Sequence, residues 1–377
     1  MPSRINLPHD IVMEILCRLA GKDVVRFRCL SKDCRDLIDS PDFVKLQLKH
    51  NSHRFLILRG VVESAYHYKV NDYSLDLASL ENNAQINITE LLDLQSNIPL
   101  GSCNGLIALK TSDGDSVVIC NPTTRKIRIP VHMDPVSDDL PTRRNYGFGY
   151  DPVSDDYKLV MMHEKNVEVL STSIYSLKAG IWRSCFQKNP CFPSDPTLLF
   201  QRRAILANNA LHWMLRDKIS PSIGLVVAFD LTSERYRCVS LPLLVKGKRL
   251  YHQINIKELG GCLCMIGRRY HTCYDNYVDI WVMEEYGVRE SWTKLSTLSM
   301  SGFLSIESVA YSKCGQKLLL CVYEDFKIKL IWHNLLKIDQ NMEILVLPDR
   351  FYTSGIDVCC VSSLVSPIYD CSNELQA

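Results

Sequence analysis

Few residues of this 377-residue chain have the types and spacing that chemistry requires. Asp155 and Asp156 are adjacent carboxylates, as general acid–base catalysis would need, but the phrase GYDPVSDDYKLV around them is typical of a turn between two strands. We therefore expect solvated turn acids. Cys262 and Cys264 would lie on one face of a strand, yet the sixteen cysteines include no Cys-x-x-Cys pair. In a reducing compartment most of them are expected to be small core residues, without metal or disulfide bonds.

The histidines and glycines give no reactive pattern either. His212 and His333 fall inside apolar strand patterns, where packed or edge histidines are more common than ligands. The stretch GFGY at 147–150 enters a turn and precedes no helix, so it does not predict a nucleotide site. The sequence therefore predicts no catalytic residue, no metal site and no cofactor, and we do not expect an enzyme.

The composition is that of a folded globular protein. Apolar residues make up 46% and charged residues 23% of the chain, and the formal net charge is +1. This balance gives no general attraction to nucleic acid or anionic lipid. No apolar run is long enough for a transmembrane helix, and MPSRINLPHD lacks the apolar core of a signal peptide. We expect a soluble intracellular protein that spans no membrane.

The first fifty residues predict three short helices and a fourth leading out. The stretch LPHDIVMEILCRL at 7–19 is apolar over about 240° of a helical wheel, which leaves only a narrow charged strip. Ser31 is an N-cap candidate, and Ser40 followed by Pro41 is a strong helix start. A unit of about 45 residues cannot bury so wide an apolar face by itself. We expect the second domain or another protein to cover the rest of it.

Past residue 54 the pattern changes to short strands, and one phrase recurs: an apolar strand, a polar turn and a second strand. Its equivalent positions are separated by 48, 54, 54, 52 and 51 residues, and they are Tyr73, Asn121, Tyr175, Phe229, Trp281 and Trp332. A period near 50 with several strands per unit is typical of a kelch-like propeller blade. We predict an α+β multidomain chain: a helical unit at 1–50, an all-β propeller of six or seven blades at 51–370, and a polar tail at 371–377. An ordinary β-sandwich with chance spacing is the alternative.

Both parts also resemble a known family. The segment INLPHDIVMEILCRLAGKDVVRFRCLSKDCRDLIDSPDF resembles the F-box, although Ala20-Gly21 stands where the family often has Pro plus a small residue and Cys34 where Trp is common. The phrases GSCNGLIAL, CNPTTRKIRIP, FGYDPVSDDYKLV and ESWTKL resemble the kelch-like F-box-associated domain of plant F-box proteins. Together the two resemblances span nearly the whole chain.

The resemblance implies a non-catalytic substrate receptor of a Skp1–cullin–F-box E3 ubiquitin ligase, acting in cytoplasm and nucleus. The F-box would bind a Skp1-like adaptor, and the propeller would bind a target protein, such as an immune receptor or signalling protein, for ubiquitination and proteasomal degradation. Arg28 and Ser31 would support the helix junctions. The resemblance carries the Skp1-facing role to Leu7, Pro8, Ile11, Ile15, Leu16, Leu19, Val24, Val25, Phe27, Leu30 and Leu37.

Two other function classes stay open. The propeller could be a binding module, or a receptor for a sugar or small ligand, with no ligase role and with helices that only cap it. A transcription regulator would use the basic helices, but residues 1–50 hold nine Lys/Arg against seven Asp/Glu, a weak footprint for nucleic acid. The target-binding residues are unknown. Candidates lie in the inter-strand loops near 62–72, 132–145, 187–203, 243–252 and 268–277.

Overall fold

The structure, a computed structural model, describes most of the chain between residues 8 and 368. The described residues are 8–50, 53–64, 67–82, 88–90, 98–112, 116–132, 144–166, 169–188, 196–199, 203–217, 224–242, 244–245, 248–249, 251, 253–270, 276–299, 305–324, 327–336, 343–346 and 352–368. The chain divides into two compact units. The first comprises Met1–Leu58, Asn71–Met133 and Asp357–Ala377, and the second comprises Arg59–Val70 and Asp134–Ile356.

Four helices open the first unit, as the sequence predicts. They are α1 (His9–Cys17), α2 (Gly21–Phe27), α3 (Lys32–Asp39) and α4 (Pro41–His50). Both predicted caps are confirmed, because the Ser31 hydroxyl accepts a hydrogen bond from the Cys34 N–H over 3.0 Å and the Ser40 hydroxyl accepts from the Phe43 N–H over 3.3 Å. A later short helix, α5 (Leu77–Glu81), is capped by the preceding Asp76, whose carboxylate accepts a hydrogen bond from the Ser79 N–H.

The remaining elements are strands in antiparallel sheets. In the first unit or across its boundary they are β1 (Arg54–Ser64), β2 (His67–Asp76), β3 (Ile88–Glu90), β4 (Ile98–Cys103), β5 (Leu106–Lys110), β6 (Ser116–Asn121) and β7 (Lys126–His132). In the second unit the first four are β8 (Asn145–Asp151), β9 (Asp156–Asn166), β10 (Val169–Ser176) and β11 (Ile181–Lys188). They are followed by β12 (Pro196–Leu199), β13 (Ile205–Ala207), β14 (Ala210–Asp217), β15 (Gly224–Asp230), β16 (Tyr236–Val239), β17 (Leu244–Val245) and β18 (Lys248–Arg249).

The last strands repeat the same pattern. They are β19 (Gln253–Leu259), β20 (Cys262–Tyr270), β21 (Asn276–Met283), β22 (Trp292–Ser299), β23 (Ser305–Tyr311), β24 (Lys317–Glu324), β25 (Lys327–Asn334), β26 (Glu343–Val346) and β27 (Tyr352–Val361). In the described part of the chain the strands other than β17 and β18, which pair with each other, form six groups: β27-β1-β2-β3, β4–β7, β8–β11, β12–β16, β19–β22 and β23–β26. In the last group β25 also pairs with β27, between Lys327 and Tyr352. This is the strand content of a six-bladed β-propeller, whereas the sequence allowed six or seven blades and a sandwich as alternative.

The repeat positions found in the sequence are structurally equivalent. Each of them lies on the third strand of its own group, namely on β2, β6, β10, β15, β21 or β25. Tyr73 lies on β2 and Trp332 on β25, so the period holds from the first group to the last. The period near 50 residues therefore measures the chain length of one blade, which confirms the repeat interpretation.

Each sheet has two different ends. Antiparallel order places the turns between first and second strands and between third and fourth strands at one end, which we call the turn end. The other connections lie at the opposite end, which we call the loop end. At turn ends the pairs Asn104-Gly105, Asn208-Asn209 and Gly260-Gly261 all have positive φ, as two-residue type I′ hairpins require. The suggested target-binding loops at 132–145, 187–203, 243–252 and 268–277 join strands at loop ends.

The five loops suggested for target binding are only partly described. The stretch 62–72 is wrong as a loop, because nearly all of it belongs to β1 and β2. In the other four, the segments 133–143, 189–195, 200–202, 246–247 and 271–275, together with single residues of 243–252, lie outside the described residues. The polar tail at 371–377 also lies outside them.

Two expectations for residues 147–156 need correction. GFGY lies within β8 rather than entering a turn, and its glycines allow close packing, because a Cβ at Gly147 would lie 2.7 Å from Leu211 Cδ1. Asp155 is an exposed turn residue as expected, but Asp156 is buried and accepts hydrogen bonds from the Ser176 hydroxyl and the Lys178 N–H.

The cysteines are mostly, but not wholly, as expected. Five of the described ones are buried: Cys17, Cys120, Cys264, Cys321 and Cys360. Cys29 and Cys314 are exposed. Cys238, on β16, is disulfide-bonded, which departs from the prediction of a chain without disulfides.

Candidate functional site

The four N-terminal helices have an apolar core of their own. Its buried members are Leu16, Cys17, Val24, Ile38 and Phe43, with Leu364 from the far end of the chain. On α1, the inward face carries Leu16 and Cys17. The outward face of the same helix therefore has to meet solvent or a partner.

Large apolar side chains remain exposed on that outward face. Ile11 is 46% and Ile15 is 50% exposed, and the two lie one helical turn apart. Beside them Arg18 and Glu14 form an exposed ion pair of 2.5 Å, which borders the apolar strip with charge. The face is thus mixed apolar and charged, the composition of a protein-binding surface.

A second exposed apolar group lies at the end of α2. Phe27 is exposed, and Leu30, in the turn that follows the helix, is 68% exposed. Pro8, immediately before α1, is also exposed. Five of the residues that the resemblance predicted to face Skp1 are therefore accessible: Pro8, Ile11, Ile15, Phe27 and Leu30.

The other predicted contact residues that the structure describes are buried or partly buried. Leu16 is 6% exposed and Val24 is fully buried, so neither is available to a partner without unfolding of the helices. Leu19, Val25 and Leu37 are partly buried and pack against the same core. Leu7 lies outside the described residues.

Arg28 and Ser31 lie at helix junctions, where the resemblance expected them. The Arg28 guanidinium donates to the Asp39 carboxylate over 2.7 Å, which links the end of α2 to the end of α3. Ser31 caps α3. Two additional surface residues, Arg26 and Asp23, form an ion pair along α2 at 3.1 Å.

The helices are fastened to the sheet β4–β7 by residues 362–368, which we call the C-terminal segment. This segment has no strand structure, because β27 ends at Val361. Its Leu364 enters the helical core. Its Ser363 hydroxyl donates to the Asn104 carbonyl over 2.6 Å, at the turn end of the sheet.

Asn121 and two glycines complete this junction. The Asn121 amide donates to the carbonyls of Ser363 (3.0 Å) and Val365 (2.8 Å). A Cβ at Gly21, the first residue of α2, would lie 2.8 Å from the Ser362 hydroxyl, and one at Gly105 would lie 2.7 Å from the Val361 carbonyl oxygen. Only glycine allows so close an approach. The helices therefore rest on the turn end of β4–β7, away from the loop end of that sheet.

Little in the sequence indicates this junction. The repeat pattern marks Asn121 only as a strand position, and no pattern in the sequence singles out Leu364. The one local signal was the phrase CNPTT, in which Asn121 Oδ1 accepts from the Thr123 N–H over 2.8 Å and so ends β6 in a turn. Its second role depends on contacts with residues more than two hundred positions away.

Buried charges of the second unit are paired in structural networks. The Lys158 ammonium donates to the carboxylates of Asp151 (2.8 Å) and Glu234 (2.9 Å) and to the Leu231 carbonyl. Burial alone would raise the pKa of Asp151, but the hydrogen bonds from Lys158, Ser154 and Thr232 hold it well below its usual range. All these partners are internal, so the network stabilises the sheets.

Asp279 and His212 are held in the same manner. Burial would raise the pKa of Asp279, but hydrogen bonds from Thr297, Tyr251 and Lys294 lower it. Burial lowers the pKa of His212 to about 4, and its ring contacts the Tyr286 hydroxyl at 2.6 Å and the Ile205 carbonyl at 3.1 Å.

The described residues contain no cluster that would act as a metal site, since no group of three or more His, Cys, Asp or Glu side chains comes together there. Within the same residues, no helix has the length and apolar character to cross a membrane. The accessible feature of the helices is thus an apolar surface.

Comparisons with known proteins match both parts of the chain. Residues 5–46 match the F-box domain, and residues 62–366 match the F-box associated beta propeller domain. The chain is 35% identical over 364 residues to the Arabidopsis thaliana F-box protein CPR1, covering 88% of this chain and 82% of that protein. It is 32% identical to the Arabidopsis thaliana F-box protein At4g22390, covering 96% and 88% of the two chains. The F-box/kelch-repeat protein At3g23880 of the same plant is 30% identical over 84% of this chain and 85% of its own length. Because the matching family model is the F-box associated beta propeller domain, the term kelch-like describes these repeats only approximately.

Proposed function

Since this chain belongs to the family of F-box proteins with an F-box associated beta propeller domain, we propose that it is a substrate receptor of a Skp1–cullin–F-box ubiquitin ligase. In this proposal the helices bind a Skp1-like adaptor, and the propeller binds a target protein. The ligase brings the target to a ubiquitin-loaded enzyme, and the modified target is degraded by the proteasome. The receptor itself supplies binding only, in the cytoplasm and the nucleus.

One observation carries the proposal. Ile11, Ile15, Phe27 and Leu30 remain exposed although the helices beneath them have a complete core. Burial of such side chains against a partner contributes about 1.5–3 kcal/mol each, which is the main source of affinity in a protein interface. The adaptor would cover an apolar surface that otherwise faces water.

The contacts between the helices and the sheet β4–β7 also support separate surfaces for the adaptor and the target. The C-terminal segment holds the helices on the turn end of β4–β7 through Asn121 and Leu364. An adaptor bound to the helices would leave the loop end of that sheet free. In this proposal the target is held at loop ends.

Adaptor binding is tested by the double variant Ile11→Glu/Ile15→Glu, measured by titration against a purified Skp1-like adaptor. Two buried, uncompensated carboxylates should weaken binding at least 100-fold. A matched control is Ile98→Glu on β4, because Ile98 is 48% exposed and lies in the same unit. The control should bind like the wild type. Unchanged affinity of the double variant would overturn the adaptor role of α1.

Both positions for this test are surface positions. A variant at Leu16, although adjacent to Ile15, would remove a core side chain and unfold the helices, so its loss of binding would carry no information.

The ligase role is tested separately in cells. The expected targets are proteins that bind both the wild type and the double variant but become ubiquitinated and degraded only with the wild type.

A further inference from the structure

The chain contains one six-residue pattern twice. Residues 26–31 read RFRCLS and residues 235–240 read RYRCVS, so both stretches have Arg, an aromatic residue, Arg, Cys, an aliphatic residue and Ser in the same order. In each, arginines stand three and five positions before the serine. Protein kinases that select basic substrates recognise this spacing, because their clefts carry acidic side chains at matching positions. The pattern therefore makes Ser31 and Ser240 candidate phosphorylation sites.

The structure exposes Ser31 together with its neighbours on both sides. Ser31 lies between α2 and α3 and has extended backbone, with φ of −157° and ψ of 167°. Leu30 before it is 68% exposed, and Lys32 after it is also exposed. A kinase has to hold the residues on either side of a serine to align its hydroxyl with the γ-phosphate of ATP. The folded protein meets this requirement at Ser31.

Ser240 is exposed, but its neighbours are not. Val239 and Leu241 are each 5% exposed and belong to an apolar core that includes Trp292. The Ser240 carbonyl also accepts a hydrogen bond from the Trp292 indole N–H over 2.9 Å. A kinase could hold this stretch only after the edge of the sheet had opened. The two stretches thus share a pattern of residue types but differ in accessibility.

The two arginines before Ser31 take part in surface ion pairs. Arg26, in the last turn of α2, pairs with Asp23 at 3.1 Å, and its side chain is 82% exposed. Arg28, in the turn that follows, pairs with Asp39 at 2.7 Å, and both of these side chains are partly exposed. Pairs of this kind contribute little to stability, so the acidic groups of a kinase can replace either aspartate.

A phosphate on Ser31 is compatible with the fold of α3. The Ser31 hydroxyl oxygen accepts from the Cys34 N–H over 3.0 Å at the start of this helix. Phosphate oxygens can accept from N–H groups of the same turn, where the helix dipole favours negative charge. The exposed side chains of Lys32 and Asp33, next in the chain, carry opposite charges. Modification should therefore leave the helices folded.

We propose that Ser31 is a phosphorylation site and that its phosphate weakens binding of the adaptor. The Ser31 hydroxyl oxygen attacks the γ-phosphorus of ATP, the bond from that phosphorus to ADP breaks, and the hydroxyl proton passes to the catalytic aspartate of the kinase. The product carries a dianion next to Leu30, one of the exposed apolar residues that the adaptor would cover.

The effect on the adaptor follows from desolvation. A dianion beside an apolar contact keeps its water, so the phosphorylated receptor should bind the adaptor at least tenfold more weakly than the unmodified one. This regulatory effect rests on the proposed function, whereas the assignment of the modification site does not.

The first measurement locates the modification. The full-length protein is incubated with magnesium, ATP and protein kinase B, a kinase that selects arginine three and five positions before serine, and mass spectrometry assigns the phosphate. Ser31 should be modified at least tenfold faster than Ser240, because only Ser240 requires local opening. Ser31→Asn should remove most of the phosphate, and Ser240→Asn should remove little. Equal or faster modification of Ser240, or no phosphate on Ser31, would overturn the proposal.

Arg26→Gln tests whether the arginine spacing directs the kinase. Because the Arg26 side chain is largely exposed, its loss should leave the helices folded, and phosphorylation of Ser31 should slow by at least about fivefold. Lys22→Gln is the matched control, since Lys22 is an exposed cation on the same helix outside the pattern. It should be modified like the wild type. Equal rates for both variants would contradict the recognition of Arg26.

The variants Ser31→Asp and Ser31→Asn separate charge from shape. Both side chains cap helices well and have nearly the same shape, but only aspartate is charged. Ser31→Asp should bind the adaptor at least about threefold more weakly than Ser31→Asn, which should bind like the wild type. Thr293→Asp, at an exposed position on β22, controls for added charge and should also bind like the wild type. Phosphatase treatment should restore binding of the phosphorylated protein.

Failure of this inference and failure of the proposed function give different results. If Ile11→Glu/Ile15→Glu weakens adaptor binding but phosphate on Ser31 does not, the adaptor role holds and the regulatory effect is wrong. If the unmodified wild type does not bind the adaptor, the proposed function and the regulatory effect fail together. The relative rates at Ser31 and Ser240 then still decide the assignment of the modification site.

Discussion

The side-chain amide of Asn121 donates a hydrogen bond of 2.8 Å to the backbone carbonyl of Val365, which lies 244 residues further along the chain. The same amide reaches the Ser363 carbonyl, and its oxygen accepts from the Thr123 N–H. Asn121 is fully buried. One side chain thus ends β6, orders the following turn and holds the C-terminal segment under the helices.

The variant Asn121→Asp should test this relationship. The carboxylate keeps the acceptor for Thr123 but points an anion at two carbonyl oxygens, so we expect a loss of about 3 kcal/mol or more in the free energy of unfolding at pH 7. Burial raises the folded-state pKa of the new carboxyl above its unfolded value, so the loss should shrink as the pH falls and the protonated group donates again. Urea unfolding at pH 7 and pH 5 measures both effects.

The matched control for this variant is Asn334→Asp. Asn334 is partly buried, and its side-chain oxygen accepts from the Leu336 N–H over 2.9 Å, a bond that a carboxylate retains. This control should unfold within about 0.5 kcal/mol of the wild type. Equal stability of both variants at pH 7 would contradict the donor role of Asn121.

Leu364→Ala should loosen the N-terminal helices although the substitution is at the far end of the chain. Leu364 packs with Leu16 and Phe43 in the helical core, and truncation of a buried leucine typically costs 2–5 kcal/mol. Hydrogen exchange of α1 and α4 should become faster, and adaptor affinity should fall with it.

Leu336→Ala serves as the comparison for Leu364→Ala. Leu336 is 71% exposed, so its truncation should leave hydrogen exchange in the helices and the unfolding free energy unchanged. Unchanged exchange in α1 and α4 of the Leu364 variant would show that the C-terminal segment does not support the helices.

The burial of His212 should make the folded protein less stable in acid. Its folded-state pKa of about 4 lies below the ordinary value of 6.5 because the ring is buried. Between these values the unfolded chain binds a proton that the folded chain does not, so stability falls as the pH drops from about 6.5 to about 4, by about 3 kcal/mol in total. Above pH 7 the residue contributes no pH dependence.

Urea unfolding at several pH values measures this effect. In His212→Gln the unfolding free energy should be lower at pH 7 but should depend less on pH in that window. His50→Gln, at an exposed position on α4, should keep the pH dependence of the wild type. Identical slopes for His212→Gln and the wild type would exclude His212 as their source.

Gln47 offers a stabilising substitution. It is fully buried on α4, and among the described residues neither its amide nitrogen nor its oxygen has a hydrogen-bond partner. A buried polar group without a partner costs about 1–3 kcal/mol, so Gln47→Met should raise the free energy of unfolding by about 1 kcal/mol.

Gln187→Met is the matched comparison for Gln47→Met. The Gln187 amide donates to the Glu234 carbonyl, and its oxygen accepts from the Tyr236 N–H. This variant should therefore lose stability by about 1 kcal/mol or more. A loss of stability in Gln47→Met as well would mean that its amide has a partner in solution.

Local sequence signals predicted the elements of this fold well. Ser31 and Ser40 cap helices as expected, because capping depends on neighbours three residues away. Tyr175 and Phe229 lie on equivalent third strands, because one blade is one stretch of chain. These features need no information from distant residues.

Sequence signals could not decide which apolar residues face inward. Ile15 and Leu16 are adjacent and both apolar, yet one is half exposed and the other is buried, because the packing of α1 against the other helices selects the inward face. The role of the C-terminal segment was missed for the same reason. Leu364 and Phe43 share one core although more than three hundred residues separate them along the chain.

Because of this long-range contact, the helical core cannot be completed until the end of the chain has been synthesised. The ribosome delivers the helices first, but Leu364 completes their core, and it leaves the ribosome only after all strands have been synthesised. A nascent chain, or one that ends before residue 362, would display the same helices with an unfilled core. Completion of the helical core is therefore coupled to synthesis of the strands.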